Sequence, residues 1–332
     1  MKCAVLRKVL LCALMAAILC GAGVCGCGKT DSSLKKPAIA IIEYKPGAWV
    51  DEVKEGFEVG MSLQGAAVKT VPLSAAGDPQ RLRAIADEVT RGNYQMIFSL
   101  GTQATEEVFR KVKDKPLIFG AVMDPVAAGF FKKDLKHPLG NITGTQALWP
   151  YEAQFDTIRT LFPKLKKIGI VFNPNESNSR VSMNYIRAQC GKRDIRFVER
   201  AATTSSEVRA AVNAVLNKKI DLLFIPQDNT VQASSSDIID LCQKKKVPVF
   251  TGNCEIVGQG ALAAVGINYY ELGMANAQQA AEILFQGKKA GEVPVAASEK
   301  GHFCFNQRAA RNLGIVVPKE IEESAFKIYE YQ

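Results

Sequence analysis

The sequence predicts an α/β fold in two lobes, each a mostly parallel sheet covered by helices on both faces. Three observations carry this expectation. From Pro37 onward short apolar runs alternate with amphipathic stretches, the series restarts after Trp149-Pro150, and a last strand, helix and strand after residue 260 must rejoin one of the two sheets. Parallel strands need crossover connections, and the crossover helices bury the sheet they span. The expected result is two Rossmann-like lobes joined by a hinge of several crossings, near residues 143–149, 253–268 and after Ser298. No close repeat relates the two halves, so their likeness is one of architecture.

The first 26 residues stand apart from this body. Lys2, Arg7 and Lys8 precede an apolar run over residues 9–24 whose only ionisable side chains are cysteines, and polar chain begins at Lys29. A spanning helix needs roughly 20 apolar residues, and this run is shorter and broken by glycine. It reads as an export signal that is removed. Val24-Cys25-Gly26-Cys27 resembles a bacterial lipoprotein cleavage site, with Gly26 as the small residue before a lipidated Cys27. Val24 and Leu19 make Cys25 and Cys20 poorer matches. Each buried acyl methylene contributes about 0.8 kcal/mol, which tethers a soluble body to a membrane surface. The expected location is the periplasmic or outer face of the bacterial cytoplasmic membrane.

Apolar periodicity sets the elements of the body. Residues 38–42 read as a buried strand, 50–63 as a helix, 67–73 as a strand, and 78–91 as a helix opened by the cap-and-proline pair Asp78-Pro79. Strand 96–100, helix 103–112 and strand 116–122 complete the first series. The second runs helix 152–161, strand 168–172, helix 178–190, strand 195–199, helix 206–216, strand 222–226, helix 235–245 and strand 248–250. Strand 261–266, helix 272–286 and strand 293–295 follow. The expected layout is a signal peptide at 1–26 and a tether at 27–36. The first lobe takes 37–145 with about 268–298, the second 146–267 with about 299–332.

Charge and cysteine usage exclude several functions. Removing Lys2, Arg7 and Lys8 from the formal +9 leaves +6 on residues 27–332, scattered in pieces such as Lys164-Lys166-Lys167 and Lys244-Lys245-Lys246 at predicted helix ends. Cations there meet the negative end of the helix dipole. A nucleic-acid footprint needs a clustered basic face and a reading motif, and neither is visible. Five of the nine cysteines lie in the first 27 residues. Cys190, Cys242, Cys254 and Cys304 remain in the body, with three possible pairings or none. The two histidines, His137 and His302, are far apart and in no ligand-spaced cluster, so neither a metal nor a cofactor is expected.

Ligands of open α/β sheets bind beyond the carboxyl ends of the strands. Those ends carry hydroxyls, amides and a few carboxylates, with no GxGxxG after the first strand, no GxxxxGKS, no GxSxG and no histidine base. Six segments, in order, are GTQATEEVF from Gly101, PLIFGAVMDPVAAGF from Pro116, GNITGT from Gly140, LFPKLKKIGIVFNPNESNS from Leu161, LLFIPQDNTVQASS from Leu222 and GALAAVGINYYELG from Gly260. With them the chain resembles the ABC transporter substrate-binding protein family whose members include tryptophan- and tyrosine-binding lipoproteins, over most of residues 37–318. The resemblance implies a type I periplasmic-binding fold that closes on a small ligand by hinge motion. It also implies permease and ATPase subunits as partners, and an amino acid, with an aromatic or apolar side chain favoured, as ligand.

The same resemblance assigns the cleft. Thr102, Gln103 and Thr105 open one helix and Asn178 and Ser179 another, where N–H groups and hydroxyls suit a ligand carboxylate; capping of their own helices is the plainer role. Asp228, beside Asn229 and Thr230, is the first choice for a ligand ammonium, ahead of Asp124 and Glu255, although Asp228 also suits a helix cap and Asp124 a turn. Trp49, with Tyr44 before it, supplies an aromatic wall, while Tyr269 and Tyr270 suit ligand contact or hinge packing. The loop YKPGAWVDEVKEGF departs from the family's His-Pro-containing loop, which leaves the ligand side chain open. A ligand-sensing receptor component uses the same cleft, but the chain ends at Gln332 with no output domain in view. A small-molecule enzyme needs an acid and base pair that no pattern here assigns.

Overall fold

The computed structural model describes residues 36–298 and 301–330; the expected signal segment and the expected anchor, Cys27, lie outside them. The first series is β1 (Ala38–Glu43), α1 (Ala48–Leu63), β2 (Lys69–Ser74), α2 (Pro79–Arg91), β3 (Met96–Leu100), α3 (Gly101–Lys111), β4 (Leu117–Val122) and β5 (Ile142–Gln146). The second is α4 (Tyr151–Leu161), β6 (Lys167–Phe172), α5 (Ser177–Lys192), β7 (Arg196–Ala201), α6 (Ser205–Leu216), β8 (Leu222–Ile225), α7 (Asn229–Gln232), α8 (Ser235–Lys244), β9 (Val249–Thr251), α9 (Cys254–Gly258) and β10 (Ala263–Gly266). The remainder is α10 (Tyr269–Gln286), β11 (Ala296–Ala297), β12 (His302–Asn306), α11 (Gln307–Leu313), α12 (Lys319–Glu323) and β13 (Lys327–Tyr329).

These strands form two sheets. The six-stranded sheet has the order β11-β5-β4-β3-β1-β2, and the seven-stranded sheet β13-β12-β10-β9-β8-β6-β7. Every pair is parallel except β10 with β12. The chain passes to the second sheet after β5, returns to the first after β10, and leaves it again after β11. In the first sheet Glu43 of β1 lies level with Ser74 and Leu100, so the strand ends open along one edge.

Both faces of the first sheet are buried at its centre, which is why β1, β3 and β4 are apolar at nearly every position. Ile39, Ile41, Phe98 and Ile118 pack on one face, while Ala40, Ile42, Ile97 and Phe119 pack on the other. The first of these clusters continues through Ala147, Trp149 and Tyr269 into the second lobe. Helices α1 and α10 meet backbone to backbone. A Cβ on Gly56 would lie 2.1 Å from the Tyr270 carbonyl oxygen, and one on Gly273 would lie 2.2 Å from that of Val53. No helix among the described residues is long and apolar enough to cross a membrane.

Four strand expectations need correction. β5 was not anticipated, because ITGTQ lacks an apolar run; its buried hydroxyls are satisfied instead, Thr143 donating to the Val293 carbonyl at 2.7 Å and Thr145 to Asn276 Oδ1 at 3.0 Å. The strand expected at 293–295 is displaced to β11. Pro294 has no N–H to give a ladder, and its carbonyl accepts from Gln279 at 2.9 Å. β12, the antiparallel strand, and β13, which pairs with it, were also missed. Of the four body cysteines, Cys254 and Cys304 form a disulfide, while Cys190 and Cys242 are buried thiols that burial pushes up to about 12.

Candidate functional site

The loops at the strand ends of the two lobes face each other and enclose a cavity of about 30 Å3. Trp49, Gly101, Thr102, Ala121 and Met123 line it from the first lobe, Asn178, Gln227, Asn229 and Gln232 from the second, and Tyr269 at the crossing between them. Ala121, Met123 and Gln227 lie in strand-end stretches where the sequence places the cleft, although none was singled out as a ligand contact, and Gln232 lies beyond those stretches. Ala121 sits at φ 56, an unusual conformation for a side-chain-bearing residue, where the register between β4 and β5 shifts.

The aromatic wall is built in two layers. Trp49 enters at the start of α1 with its ring centroid 5.7 Å from that of Tyr269. Behind them the buried Trp149 donates its Nε1–H to the Tyr269 hydroxyl at 3.1 Å, which fixes the phenol ring at the cavity edge. Gly101 makes room: its φ of 78 opens α3 from the left-handed region, and a Cβ there would lie 2.9 Å from the Trp49 ring. Tyr44 belongs to another layer, its hydroxyl donating to the Gly77 carbonyl at 2.7 Å.

Two carboxamides supply the polar end. Asn178 donates through Nδ2 to the Gln227 carbonyl at 3.0 Å and to Glu176 Oε2 at 3.3 Å, and Gln227 donates through Nε2 to the Ala147 carbonyl at 2.7 Å. These partners are acceptors, so they fix which end of each amide is oxygen. Asn178 Oδ1 and Gln227 Oε1 are then left buried with no hydrogen-bond partner among the described residues, on the wall of the cavity. Such an orphaned acceptor costs about 1–3 kcal/mol unless a donor reaches it. Opposite stands the N-terminus of α3, with its free N–H groups and the Thr102 hydroxyl.

Glu176, which the sequence reading passed over, organises this wall. Its carboxylate accepts from Asn229 N at 2.9 Å and Nδ2 at 3.0 Å, from Thr230 N at 3.1 Å and Oγ1 at 2.6 Å, and from Asn173 and Asn178. Two cavity residues, Asn178 and Asn229, are therefore held by one buried charge. The signal was present in NPNESNS, where an acid immediately precedes a helix.

The first choice for the ammonium partner, Asp228, is engaged within its own lobe. Asp228 is fully buried; its Oδ2 accepts from Asn173 N and Ser179 Oγ, each at 2.5 Å, and its Oδ1 caps α7 through Val231 N at 2.8 Å. Burial first, and then the Glu176 charge, raise its pKa above the ordinary carboxylate range. Its oxygens are committed to protein donors, and Ser179 is committed with it. Thr105 bonds Ser99 Oγ and the Gly101 carbonyl, both at 2.8 Å, within its own lobe. Thr230 is likewise taken up by Glu176 and Asn173. Asp124 holds its own turn through Val126 N and Ala127 N at 3.1 and 2.9 Å. Asn178, expected to donate to a carboxylate, instead presents an acceptor.

The two lobes also bond directly across the cleft. Asn229 Nδ2 donates to Gln103 Oε1 at 3.3 Å, and Ser177 Oγ donates to Glu106 Oε1 at 2.6 Å. Glu255 lies farther out, half-exposed, 3.5 Å from Lys327 Nζ and accepting from the Tyr329 hydroxyl at 3.3 Å. No group of three metal-ligating side chains occurs among the described residues.

Two sheets, several crossings and a polar and aromatic cavity between facing strand ends define a two-lobed binding protein that closes around a small molecule. The chain belongs to the ABC transporter substrate binding protein family, whose profile matches residues 38–329. A tyrosine-binding protein of Clostridioides difficile (strain R20291) is 30% identical over 289 residues, covering 86% of this chain and 83% of that protein. The ABC domain in complex with L-Trp from Streptococcus pneumonia is 26% identical and superimposes with a TM-score of 0.82, over 87% of this chain and 99% of that one. A ligand-free, open substrate binding protein with adhesive properties from Clostridium difficile is 29% identical, yet superimposes only with a TM-score of 0.69, over 89% of this chain and 100% of that one. The better match to the liganded relative agrees with the bonds across the cleft: the lobes stand closed.

Proposed function

We propose that the protein is the lipid-anchored capture component of an importer and holds an amino acid with an aromatic or apolar side chain between its lobes. The observation that carries this reading is the pair of buried, unpartnered acceptors, Asn178 Oδ1 and Gln227 Oε1. Two neutral acceptors suit an ammonium group when a negative charge stands behind them, and Glu176 is one hydrogen bond behind Asn178. The ligand carboxylate turns to the N-terminus of α3 and Thr102, where the helix dipole favours an anion. Its side chain lies along Trp49 and Tyr269. The relatives that bind tyrosine and L-Trp support the same ligand class. Permease and ATPase subunits complete the importer, and Cys27 carries the anchor on the outer side of the membrane.

Calorimetry with aromatic amino acids tests the orientation. Asn178→Ala should weaken binding by about 10- to 100-fold, the worth of one or two charge-assisted hydrogen bonds. An aromatic acid lacking the ammonium group should bind wild type poorly and lose nothing further in that variant. Equal wild-type affinity for the amino acid and its deaminated analogue would remove the ammonium assignment. For the anchor, Cys27→Ser should move the full chain from the membrane fraction to the soluble one; an unchanged membrane fraction speaks against Cys27.

A further inference from the structure

The cavity does not end at Trp49. A second chamber of about 260 Å3 adjoins it, and Trp49, Asn229 and Gln232 belong to the walls of both. The inner cavity is small, at about 30 Å3, whereas the outer chamber, at about 260 Å3, approaches the ~300–1,000 Å3 usual for small-molecule sites. The outer chamber is also lined from both lobes, with the loop from Lys45 to Ala48 on one side and α7, α8 and α9 residues on the other.

Its chemistry differs from that of the inner wall. Apart from the shared Trp49 it presents no aromatic ring; amides and hydroxyls prevail, among them Ser235 and Ser236, both donating to Gln259. A ring gains little there, but a peptide unit finds partners. Two charges line the chamber. Glu255 is already engaged by Lys327 and Tyr329, whereas Lys45, half-buried, has no carboxylate within ion-pair distance among the described residues. A half-buried lysine on the wall of the chamber with no carboxylate partner favours an anionic group on what enters it.

We infer that the chamber is a second subsite, and that the ligands include dipeptides with an aromatic first residue whose terminal carboxylate faces Lys45. This rests on the amino-acid reading of the inner cavity and extends it. The ammonium of the first residue keeps Asn178 and Gln227, and its ring keeps Trp49 and Tyr269. The peptide carbonyl, in place of a carboxylate, accepts from Thr102 and the first N–H groups of α3. The chain then passes between Trp49 and Gln232, and the second residue occupies the outer chamber.

Tyrosine, tyrosyl-glycine and tyrosyl-glycine amide distinguish the possibilities, titrated into wild type, Lys45→Gln and Lys45→Glu, with unfolding midpoints confirming that each variant folds. Tyrosyl-glycine should bind wild type and weaken about tenfold or more in Lys45→Glu, with Lys45→Gln between, while tyrosine changes less than about twofold. The amide, which has no terminal charge, should be indifferent to residue 45. Binding of tyrosine without tyrosyl-glycine overturns the second subsite and leaves the amino-acid reading standing. Binding of neither overturns both. Tyrosyl-glycine binding that ignores residue 45, or equal losses for tyrosine and tyrosyl-glycine in Lys45→Glu, removes the assigned partner of the carboxylate.

Discussion

Asp228 accepts from Asn173 N, Ser179 Oγ and Val231 N, so removing it strands three donors inside the second lobe. A stranded buried donor costs about 1–3 kcal/mol, and relief of the repulsion from Glu176 returns part of that. Asp228→Ala should therefore lower the urea unfolding free energy of the empty protein by about 2–4 kcal/mol, yet shift ligand affinity less than about threefold. A large affinity loss with unchanged unfolding would put Asp228 back at the ligand. The sequence showed that polar residues gather at these strand ends, and Trp49, Thr102, Asn178 and Asn229 do line the cavity. It did not show which polar atoms were already spent. Asp228 meets its donors from Asn173 and Ser179 across 55 and 49 residues, and only the folded register brings them together.

Helix α3 carries the contact between lobes on one face. Gln103 and Glu106, three apart, project together toward the second lobe, where they meet Asn229 and Ser177 at the first positions of α7 and α5. A carboxylate at the start of the 16-residue α5 is favoured by that helix's dipole as well as by the Ser177 hydroxyl. Glu106 touches no ligand on this geometry and acts by holding the lobes together. Glu106→Ala should raise the ligand dissociation rate about 3- to 20-fold with little change in the association rate, and a cycle with Ser177→Ala should recover a coupling of about 0.5–1.5 kcal/mol. Equal effects on both rates, or purely additive variants, would reduce Glu106 to a surface residue. The amphipathic pattern located α3 to within two residues at its start, but an outward carboxylate on such a helix reads as solvated until a second lobe faces it.

At the scale of the whole molecule, closure brings like charges together. Glu52 on α1 is pushed up to about 7, first by burial and then by Glu255 of the other lobe, with Glu55 adding and Lys327 opposing. A carboxyl raised in the closed state binds its proton more readily there, so closing takes up a proton. Lowering the pH through about 7 toward the ordinary carboxylate value should therefore favour the closed form, and raising it above 7 should remove that advantage. Small-angle scattering at sub-saturating ligand should show a smaller radius of gyration at pH 5.5 than at pH 8, and Glu52→Gln should flatten the difference. An unchanged slope in that variant would assign the proton elsewhere. The two-lobed α/β architecture was legible because parallel strands buried on both faces must be apolar throughout. β5 and β12 escaped: the first buries threonines held by distant partners, and the second turns antiparallel at the edge of a parallel series.

The close approach of α1 and α10 has a consequence for the order in which the protein is made. Chains leave the ribosome N-terminus first, and domains generally fold as units during synthesis. Here β6 to β10 come from one uninterrupted stretch, whereas α1 waits for α10, more than 200 residues later, to cover Gly56 and Gly60. The first lobe thus stays incomplete while most of the second is made, and the second in turn waits for β12 and β13. Until residue 286 has emerged, the apolar stripe of α1 formed by Val53, Phe57 and Met61 lacks its partner helix, and the nascent chain carries an apolar surface that is covered only late in synthesis.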